Sequence, residues 1–233
     1  MAIEANKTDT EIVIDGVIDE AWSTSIWYPI DKLILGELPR PRDFSGRFKM
    51  LWDEDYLYLQ AEITDDVLFD QHAIPLSFYW DDDCLEVFID EDNSGGNHQF
   101  NYNAFAYHVA LDNQVVDIGK NNKDGSVNFV LLNDHITSVW KRSNVAPYNV
   151  IWELAIKVFD DQFDDRKHES TVKPVKLIKG KTLGFMLAYC DNDGSLERES
   201  FMGSTEISPV NGDKNLGYIT ADVFDQLTLV DHN

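Results

Sequence analysis

The stretch that decides the fold is residues 80–103, WDDDCLEVFIDEDNSGGNHQFNYN. Within residues 84–90 apolar side chains alternate with other types, which is typical of a β-strand, because successive side chains of a strand point to opposite faces. The predicted core face consists of Leu85, Val87 and Ile89. The Gly-rich segment that follows predicts a turn. We therefore interpret the stretch as a β-hairpin whose second strand begins at Gln99.

The other face of this hairpin carries polar side chains. If the strand ends pair across the turn, antiparallel register places Glu86 opposite Asn103, with Cβ atoms about 5 Å apart. Asn101 shares that face, and Trp80 lies close by in sequence. A carboxylate, amides and an indole suit a polyhydroxylated ligand, because they accept and donate hydrogen bonds and cover the apolar face of a sugar ring. The alternative is an ordinary solvated sheet face with Trp80 in the core.

Composition and charge narrow the class of protein. The 233 residues are 43% hydrophobic and 12% aromatic, which indicates a globular protein. The net charge of -23, from 42 acidic and 19 basic residues, argues against nucleic acid and anionic membranes as partners and favours a monomer. Clustered carboxylates are suited to hard cations such as calcium.

The sequence has no membrane-length apolar run, so we expect no membrane insertion. Its N-terminus shows no signal peptide, so export would require one that has been removed.

Strand patterns recur along the chain with turn signals between them. This arrangement predicts an all-β sandwich or barrel rather than alternating strands and helices. Minor helical turns are expected at residues 18–23 and 160–163. No linker divides the chain, so residues 1–233 are predicted to form a single domain.

The chain has two cysteines, Cys84 and Cys190. Two cysteines form at most one disulfide, and the sequence leaves their pairing open. Neither has the spacing of a metal motif, so we interpret both as small, half-buried residues.

Five segments together resemble one family, the carbohydrate-binding module family 9 domains that are often appended to xylanases. The resemblance covers nearly the whole chain. It implies a β-sandwich of two antiparallel sheets, with an immunoglobulin-like or jelly-roll-like arrangement, structurally bound calcium, and a sugar slot gripped by tryptophans. The segments are DGVIDEAW (15–22), LWDEDYLY (51–58), ITDDV (63–67), WDDDCLEVFID (80–90) and DNDG (191–194).

The resemblance assigns roles to individual residues. Trp80 is similar to a stacking tryptophan, Glu86 to the carboxylate that accepts sugar hydroxyl groups, and Asn103 to the amide of the binding face. Asp65 resembles a calcium ligand of the family, and Asp66 lies beside it.

Two positions depart from the family pattern. Where xylan-binding members have an arginine two residues before the amide, this chain has Asn101, which we retain as a binding residue. The second tryptophan of the family falls in residues 207–210, which contain no aromatic side chain. Arg198, Phe201 or Tyr79 would then supply a different wall, and we include Arg198 in the predicted site.

The leading functional prediction is a non-catalytic domain that binds mono- or oligosaccharides from plant or microbial polysaccharides, such as xylan, in support of carbohydrate catabolism. One alternative is a glycoside hydrolase that pairs Glu86 with Asp83 or Glu153, since such enzymes need two carboxylates about 5 to 9 Å apart. The other is an interaction domain that has kept the sandwich and lost sugar binding, as the missing second tryptophan suggests.

Overall fold

The computed structural model describes residues 2–167 and 172–231. These residues form β-strands joined by loops and short 3₁₀ turns, with no α-helix among them, and the all-β prediction is confirmed. The described part of the chain has no helix long and apolar enough to cross a membrane. The 3₁₀ turns include Glu20–Thr24, Tyr79–Asp81 and Ala221–Val223. The strands are β1 (Ala2–Lys7), β2 (Tyr28–Ile30), β3 (Lys32–Gly36), β4 (Phe44–Trp52), β5 (Leu57–Asp65), β6 (Cys84–Asp90), β7 (Phe105–Ala110), β8 (Val115–Gly119), β9 (Asn128–Leu131), β10 (Ile136–Arg142), β11 (Val150–Ile156), β12 (Thr182–Asp191), β13 (Ser200–Gly203) and β14 (Asp225–Val230).

The strands form one connected mixed sheet, in the order β10-β11-β5-β4-β1-β14-β12-β6-β7-β8-β9. Strand β1 pairs in parallel with β14 on one side and with β4 on the other. It thereby joins two sets of antiparallel strands. The expectation of purely antiparallel pairing is wrong at β1, because the long chain between β1 and β4 gives the crossover that parallel neighbours require.

Side chains from both antiparallel sets share the main core. The ring of Phe48 in β4 lies 5.7 Å from that of Phe185 in β12, and the ring of Phe44 lies 5.1 Å from that of Tyr189. Each such side chain stabilises the fold by about 1.5 to 3 kcal/mol through its burial. The main core is therefore built from side chains of both sets.

Strand β6 is buried on both faces. Its predicted core face packs in the main core, as expected from the alternation. The opposite face is not solvated: Phe88 belongs to a second apolar cluster with Met186, Phe201 and Ile207, and Glu86 is only 3% exposed. The polar face of the hairpin is therefore enclosed by β13 and the loops that follow it.

The hairpin register differs from the prediction. Strand β7 begins at Phe105, and Glu86 pairs with His108 instead of Asn103. Residues 91–104 form a long loop, because His98 bonds to distant backbone: its N–H donates to the carbonyl of Ile219 (2.9 Å), and its Nε2 lies 2.8 Å from the carbonyl of Gly217. Because these contacts hold residues 91–104 in the loop, β7 starts later than a tight turn would allow.

Candidate functional site

A cavity of about 330 Å³ lies beside the outer face of β6. Apolar walls with a few converging polar groups are typical of small-molecule sites. The aromatic lining residues are Tyr79, Trp80, Phe100, Phe129 and Tyr218. The polar lining residues are Glu86, Gln99, His108, Arg198 and Asn215.

Trp80 is held among other aromatic rings. It lies in the 3₁₀ turn that precedes β6 and is half-buried. Its ring centroid is 5.0 Å from that of Tyr79 and 5.8 Å from that of Phe129 in β9. The nearby Asp82 carboxylate accepts hydrogen bonds from the backbone N–H groups of residues 71 and 72, each 3.0 Å long, which anchors the turn. The indole is therefore fixed at the wall of the cavity.

Glu86 is a buried carboxylate surrounded by donors. His108 Nε2 lies 2.8 Å from its Oε1, Arg198 Nη1 donates to the same oxygen at 3.0 Å, and the Cys190 thiol donates to it at 3.1 Å. Burial alone would raise the pKa of Glu86, but His108, Arg198 and the thiol outweigh it and lower the pKa to about 2. All three donors converge on Oε1, so Oε2 has no donor among the described residues. This ionised oxygen is available to accept hydrogen bonds from a ligand.

Arg198 supplies a fixed positive charge. Its Nη1 also lies 3.0 Å from Cys190 Sγ, and its guanidinium carbon lies 4.3 Å from the ring centroid of Phe201. Burial would lower the pKa of Arg198, but Cys190 and Glu86 raise it, so the guanidinium stays charged. The predicted residues Trp80, Glu86 and Arg198 are thus brought together at one cavity.

Asn101 and Asn103 do not line this cavity. The Asn101 side-chain oxygen accepts a hydrogen bond from the Asn103 backbone N–H (2.8 Å), and the Asn103 amide donates to the Gly95 carbonyl (2.7 Å). Both amides are used to fold the loop, as short polar side chains often are. The predicted meeting of these amides with Glu86 is therefore wrong, because it rested on the wrong register.

Two residues of the site escaped the sequence analysis. The sequence assigned no binding role to His108, but the register puts it directly opposite Glu86. Phe129 lies in β9, 43 positions after Glu86, and reaches Trp80 only through the β7-β8-β9 meander. The alternation along β7 could have placed His108 on the face of Glu86, but only if the first residue of that strand were known. No such pattern connects Phe129 to the site.

A second cluster of acidic groups lies apart from the cavity lining. Carboxylate oxygens of Asp65, Asp83 and Asp191 lie within 4.8 Å of one another, and all three residues are buried. Burial, with added repulsion between the carboxylates, raises the pKa of Asp65 to about 7 and that of Asp83 to about 9. The side chains that shift the pKa values of Asp65, Asp83 and Asp191 are other carboxylates and hydroxyl groups, with no Lys, Arg or His side chain among the causes.

Asp66 belongs to a different group. Its carboxylate lies near those of Asp43 and Asp193, on the surface. Asp65 and Asp66, the two neighbouring aspartates predicted as metal ligands, therefore belong to two separate acidic clusters.

The cavity does not present a pair of catalytic carboxylates. Of the described residues that line it, Glu86 is the one acid. Glu153 lies in β11, where it accepts a hydrogen bond from the Gly16 N–H at 2.9 Å, and Asp83 is in the acidic cluster. Glycoside hydrolysis needs a second carboxyl group across the cleft, so this arrangement favours binding over catalysis.

Fold and cavity together define an all-β protein with a site built from an aromatic wall and a fixed, ionised carboxylate. The family model described as "Carbohydrate family 9 binding domain-like" matches residues 14–232. The chain therefore belongs to the carbohydrate-binding module family 9.

Solved structures and curated relatives agree with this membership. The fold matches a family 9 carbohydrate-binding module from Caldicellulosiruptor kristjanssonii in complex with glucose, with a TM-score of 0.69 and 18% identity over 100% of this chain and 97% of that one. The same module in complex with cellotriose gives a TM-score of 0.69 and 18% identity, over 100% of this chain and 95% of that one. Endo-1,4-beta-xylanase A of Thermotoga maritima is 38% identical over 81 residues, 35% of this chain and 7% of the xylanase. The matched segment thus covers less than a tenth of that relative's length.

Proposed function

We infer that this protein is a non-catalytic carbohydrate-binding module that recognises mono- or oligosaccharides in the cavity beside β6. The observation that carries the inference is the meeting of Trp80, Glu86 and Arg198 at one cavity of a family 9 fold. Modules of this fold from Caldicellulosiruptor kristjanssonii hold glucose and cellotriose. A cavity of about 330 Å³ is at the small end of ligand pockets, so we expect one or two sugar rings to be enclosed.

Each group in the cavity has a distinct role in this proposal. The indole of Trp80 covers the apolar face of a sugar ring. Oε2 of Glu86 accepts a hydrogen bond from a sugar hydroxyl, and a charge-assisted bond of this kind contributes about 1.5 to 3 kcal/mol. Arg198 holds Glu86 in place through Nη1, and Gln99 and Asn215 add amide donors and acceptors.

We further propose a structural calcium ion at Asp65, Asp83 and Asp191. Three buried carboxylates whose pKa values are raised by burial and by neighbouring carboxylates fit a hard divalent cation, which prefers several oxygen ligands. Calcium would supply the positive charge that the cluster lacks. Asp66, with Asp43 and Asp193, is a weaker, surface-exposed second candidate.

We also propose that the connected sheet functions as a two-layer sandwich. The ring contacts between β4 and β12 and the shared main core support face-to-face packing of the two antiparallel sets. In this arrangement β6 and β12 carry the site on the outer face of one layer.

The biological role that we propose is polysaccharide catabolism. Because the relatives include xylanases, we expect the module to hold fragments of plant or microbial polysaccharides such as xylan or glucans. The experiment is calorimetric titration with glucose, xylose and their β-1,4-linked oligosaccharides, in calcium and again after chelation. Saturable binding to at least one series supports the proposal, and the absence of binding to every sugar tested would overturn it.

A further inference from the structure

Four side chains with metal-ligating atoms meet on the outer face of β6. Cys84, Glu86, His108 and Cys190 each offer one ligand atom, and these atoms lie within 4.8 Å of one another. All four residues are buried, and both cysteines are free. We propose that they bind a zinc ion, a role that does not depend on sugar binding.

The strand registers bring these ligands together. Cys84 and Glu86 are two residues apart on β6, so they share one face. Cys190 of β12 is the direct partner of Cys84, and His108 of β7 is the direct partner of Glu86. The four ligands therefore occupy the corners of a patch across three neighbouring strands. Such a site is held by rigid backbone, and no local sequence spacing reveals it.

The ligand types select zinc over calcium. Thiol and imidazole groups favour zinc, whereas calcium takes oxygen ligands. Bond lengths of about 2.0 to 2.3 Å in a tetrahedral zinc site imply ligand-to-ligand separations of roughly 3.3 to 3.8 Å. The separations here are 2.8 Å between His108 Nε2 and Glu86 Oε1 and 3.1 Å between Cys190 Sγ and the same oxygen, and all four ligand atoms lie within 4.8 Å of one another. Small side-chain adjustments are enough to form the site.

The charges of the ligands would be balanced by those of zinc and Arg198. Two thiolates and one carboxylate carry three negative charges, and zinc with the Arg198 guanidinium carries three positive ones. Arg198 already contacts both Cys190 Sγ and Glu86 Oε1 at 3.0 Å, so it would donate to two of the ligands, as outer-shell groups do in zinc sites. The Cys190 thiol donates a hydrogen bond to Glu86, and zinc would replace that proton. Binding therefore releases the two thiol protons to solvent. The proton that His108 Nε2 donates to Glu86 moves to Nδ1 of the same neutral ring, so that Nε2 can ligate the ion.

The neighbouring cavity provides a route for the ion. Glu86 and His108 belong to the cavity lining as well as to the cluster. Glu86 can serve both sites, because its Oε1 faces the cluster while Oε2 has no donor among the described residues. Zinc would then help to fix the same carboxylate that we propose for sugar recognition.

Cobalt titration of the full, reduced chain tests the proposal, because cobalt reports thiolate ligation by its colour. We expect one cobalt ion per chain, a thiolate-to-cobalt charge-transfer band and strong d–d bands, all bleached by one equivalent of zinc. Calorimetry of zinc binding in two buffers of different ionisation enthalpy should report release of about two protons.

Matched variants separate this site from the acidic cluster. Cys84→Ser and Cys190→Ser should each remove the charge-transfer band or reduce it strongly. Arg198→Lys keeps the charge but alters the outer shell, so we expect zinc affinity to fall about 10- to 100-fold. Asp65→Asn, in the acidic cluster, should leave the band unchanged. Circular dichroism checks that each variant is folded.

Two results would overturn the proposal. One is the absence of a charge-transfer band in folded, reduced protein whose two thiols are titratable after unfolding. The other is a Cys84–Cys190 disulfide in protein purified without reductant, which would show that the thiols pair instead of binding metal. Sugar binding is titrated separately on the same folded samples, so a failure of sugar binding is distinguishable from a failure of zinc binding.

Discussion

The pKa values of two buried carboxyl groups in this protein, Glu86 at the cavity and Asp83 in the acidic cluster, are shifted in opposite directions. Glu86 is 3% exposed and Asp83 is 0% exposed, yet the pKa of Glu86 is lowered to about 2 while that of Asp83 is raised to about 9. Burial raises the pKa of both. The difference comes from the neighbours, because Glu86 has Arg198 and His108 beside it, whereas Asp83 has Asp65 and other carboxylates.

This contrast explains how one fold can carry two kinds of site. At Glu86 the guanidinium of Arg198 and the hydrogen bond from His108 stabilise the ionised carboxylate in the absence of a ligand. At the acidic cluster burial and neighbouring carboxylates raise the pKa values instead, and our proposal is that a calcium ion from solution stabilises the ionised form. The predictions below test the two halves of this comparison.

The largest expected effect is on stability when Glu86 loses its charge. Glu86→Gln leaves Arg198 buried without its carboxylate partner, which should lower the free energy of unfolding by about 3 to 5 kcal/mol. Glu153→Gln is the matched control, because Glu153 is equally buried but burial raises its pKa. We expect it to cost about 1 kcal/mol or less. Urea unfolding in the presence of a chelator measures both, and equal losses would contradict the account.

Calcium should have the next largest effect. At 100 times its dissociation constant, calcium should raise the free energy of unfolding by about 2.7 kcal/mol, and chelation should reverse the gain. Asp65→Asn should remove most of this response, because it takes one carboxylate from the cluster. Thermal unfolding with and without calcium measures it.

Asp117→Asn is the control for calcium, since Asp117 is buried but lies outside the acidic cluster. It should respond to calcium as the wild type does. A wild-type protein that is indifferent to calcium, or an Asp65→Asn variant that responds fully, would contradict the proposed ion.

Asp117 also predicts a pH dependence. Burial raises its pKa to about 7, although the backbone N–H groups of Ala106 and Ile118 donate to it. A raised pKa in the folded state means that the protonated form stabilises the fold. This contribution is complete below the pKa of the unfolded chain, near 4, and is lost as pH rises through about 7.

The expected slope is up to about 1.4 kcal/mol per pH unit between those limits. Asp117→Asn should abolish this component, whereas Asp112→Asn, at an exposed position, should retain it. Urea unfolding from pH 4 to pH 8 measures the difference. If the free energy of unfolding depends on pH in the same way for wild type and Asp117→Asn, burial has not shifted the pKa of Asp117.

The smallest expected effect is a difference in sugar affinity between variants of two loop amides, Gln99 and Asn101. Gln99→Ala removes a lining group and should weaken sugar binding by about 1 kcal/mol, or roughly fivefold. Asn101→Ala should change sugar affinity less than about twofold, because its side chain is used within the loop. Calorimetric titration compares them. A larger loss for Asn101→Ala would restore the role first predicted for it.

The sequence predicted the parts of the site that depend on local patterns. The alternation of residues 84–90 correctly assigned the core face of β6, because a shift of one residue would expose that whole face. Trp80, Glu86 and Arg198, which the sequence grouped in one predicted site, line the same cavity. The family resemblance supplied much of that expectation.

The parts that failed depend on contacts between distant residues. The pairing of Glu86 with His108 follows from the loop 91–104, whose His98 is held by residues about 120 positions away. The grouping of Asp65 with Asp83 and Asp191, instead of with Asp66, follows from the meeting of β5, β6 and β12. Neither arrangement leaves a periodic signal in the chain.

The most direct test of the central claim compares two tryptophans by calorimetric titration with glucose and cellotriose. Trp80 lines the cavity, whereas Trp27 is also half-buried but is covered by Arg47 at 4.2 Å and Lys49 at 4.6 Å. We predict that Trp80→Ala, while remaining folded, loses at least about 2 kcal/mol of binding free energy, or roughly thirtyfold in affinity. Trp27→Ala should bind as the wild type does. A folded Trp80→Ala protein that binds sugar with wild-type affinity would contradict the assignment of this cavity.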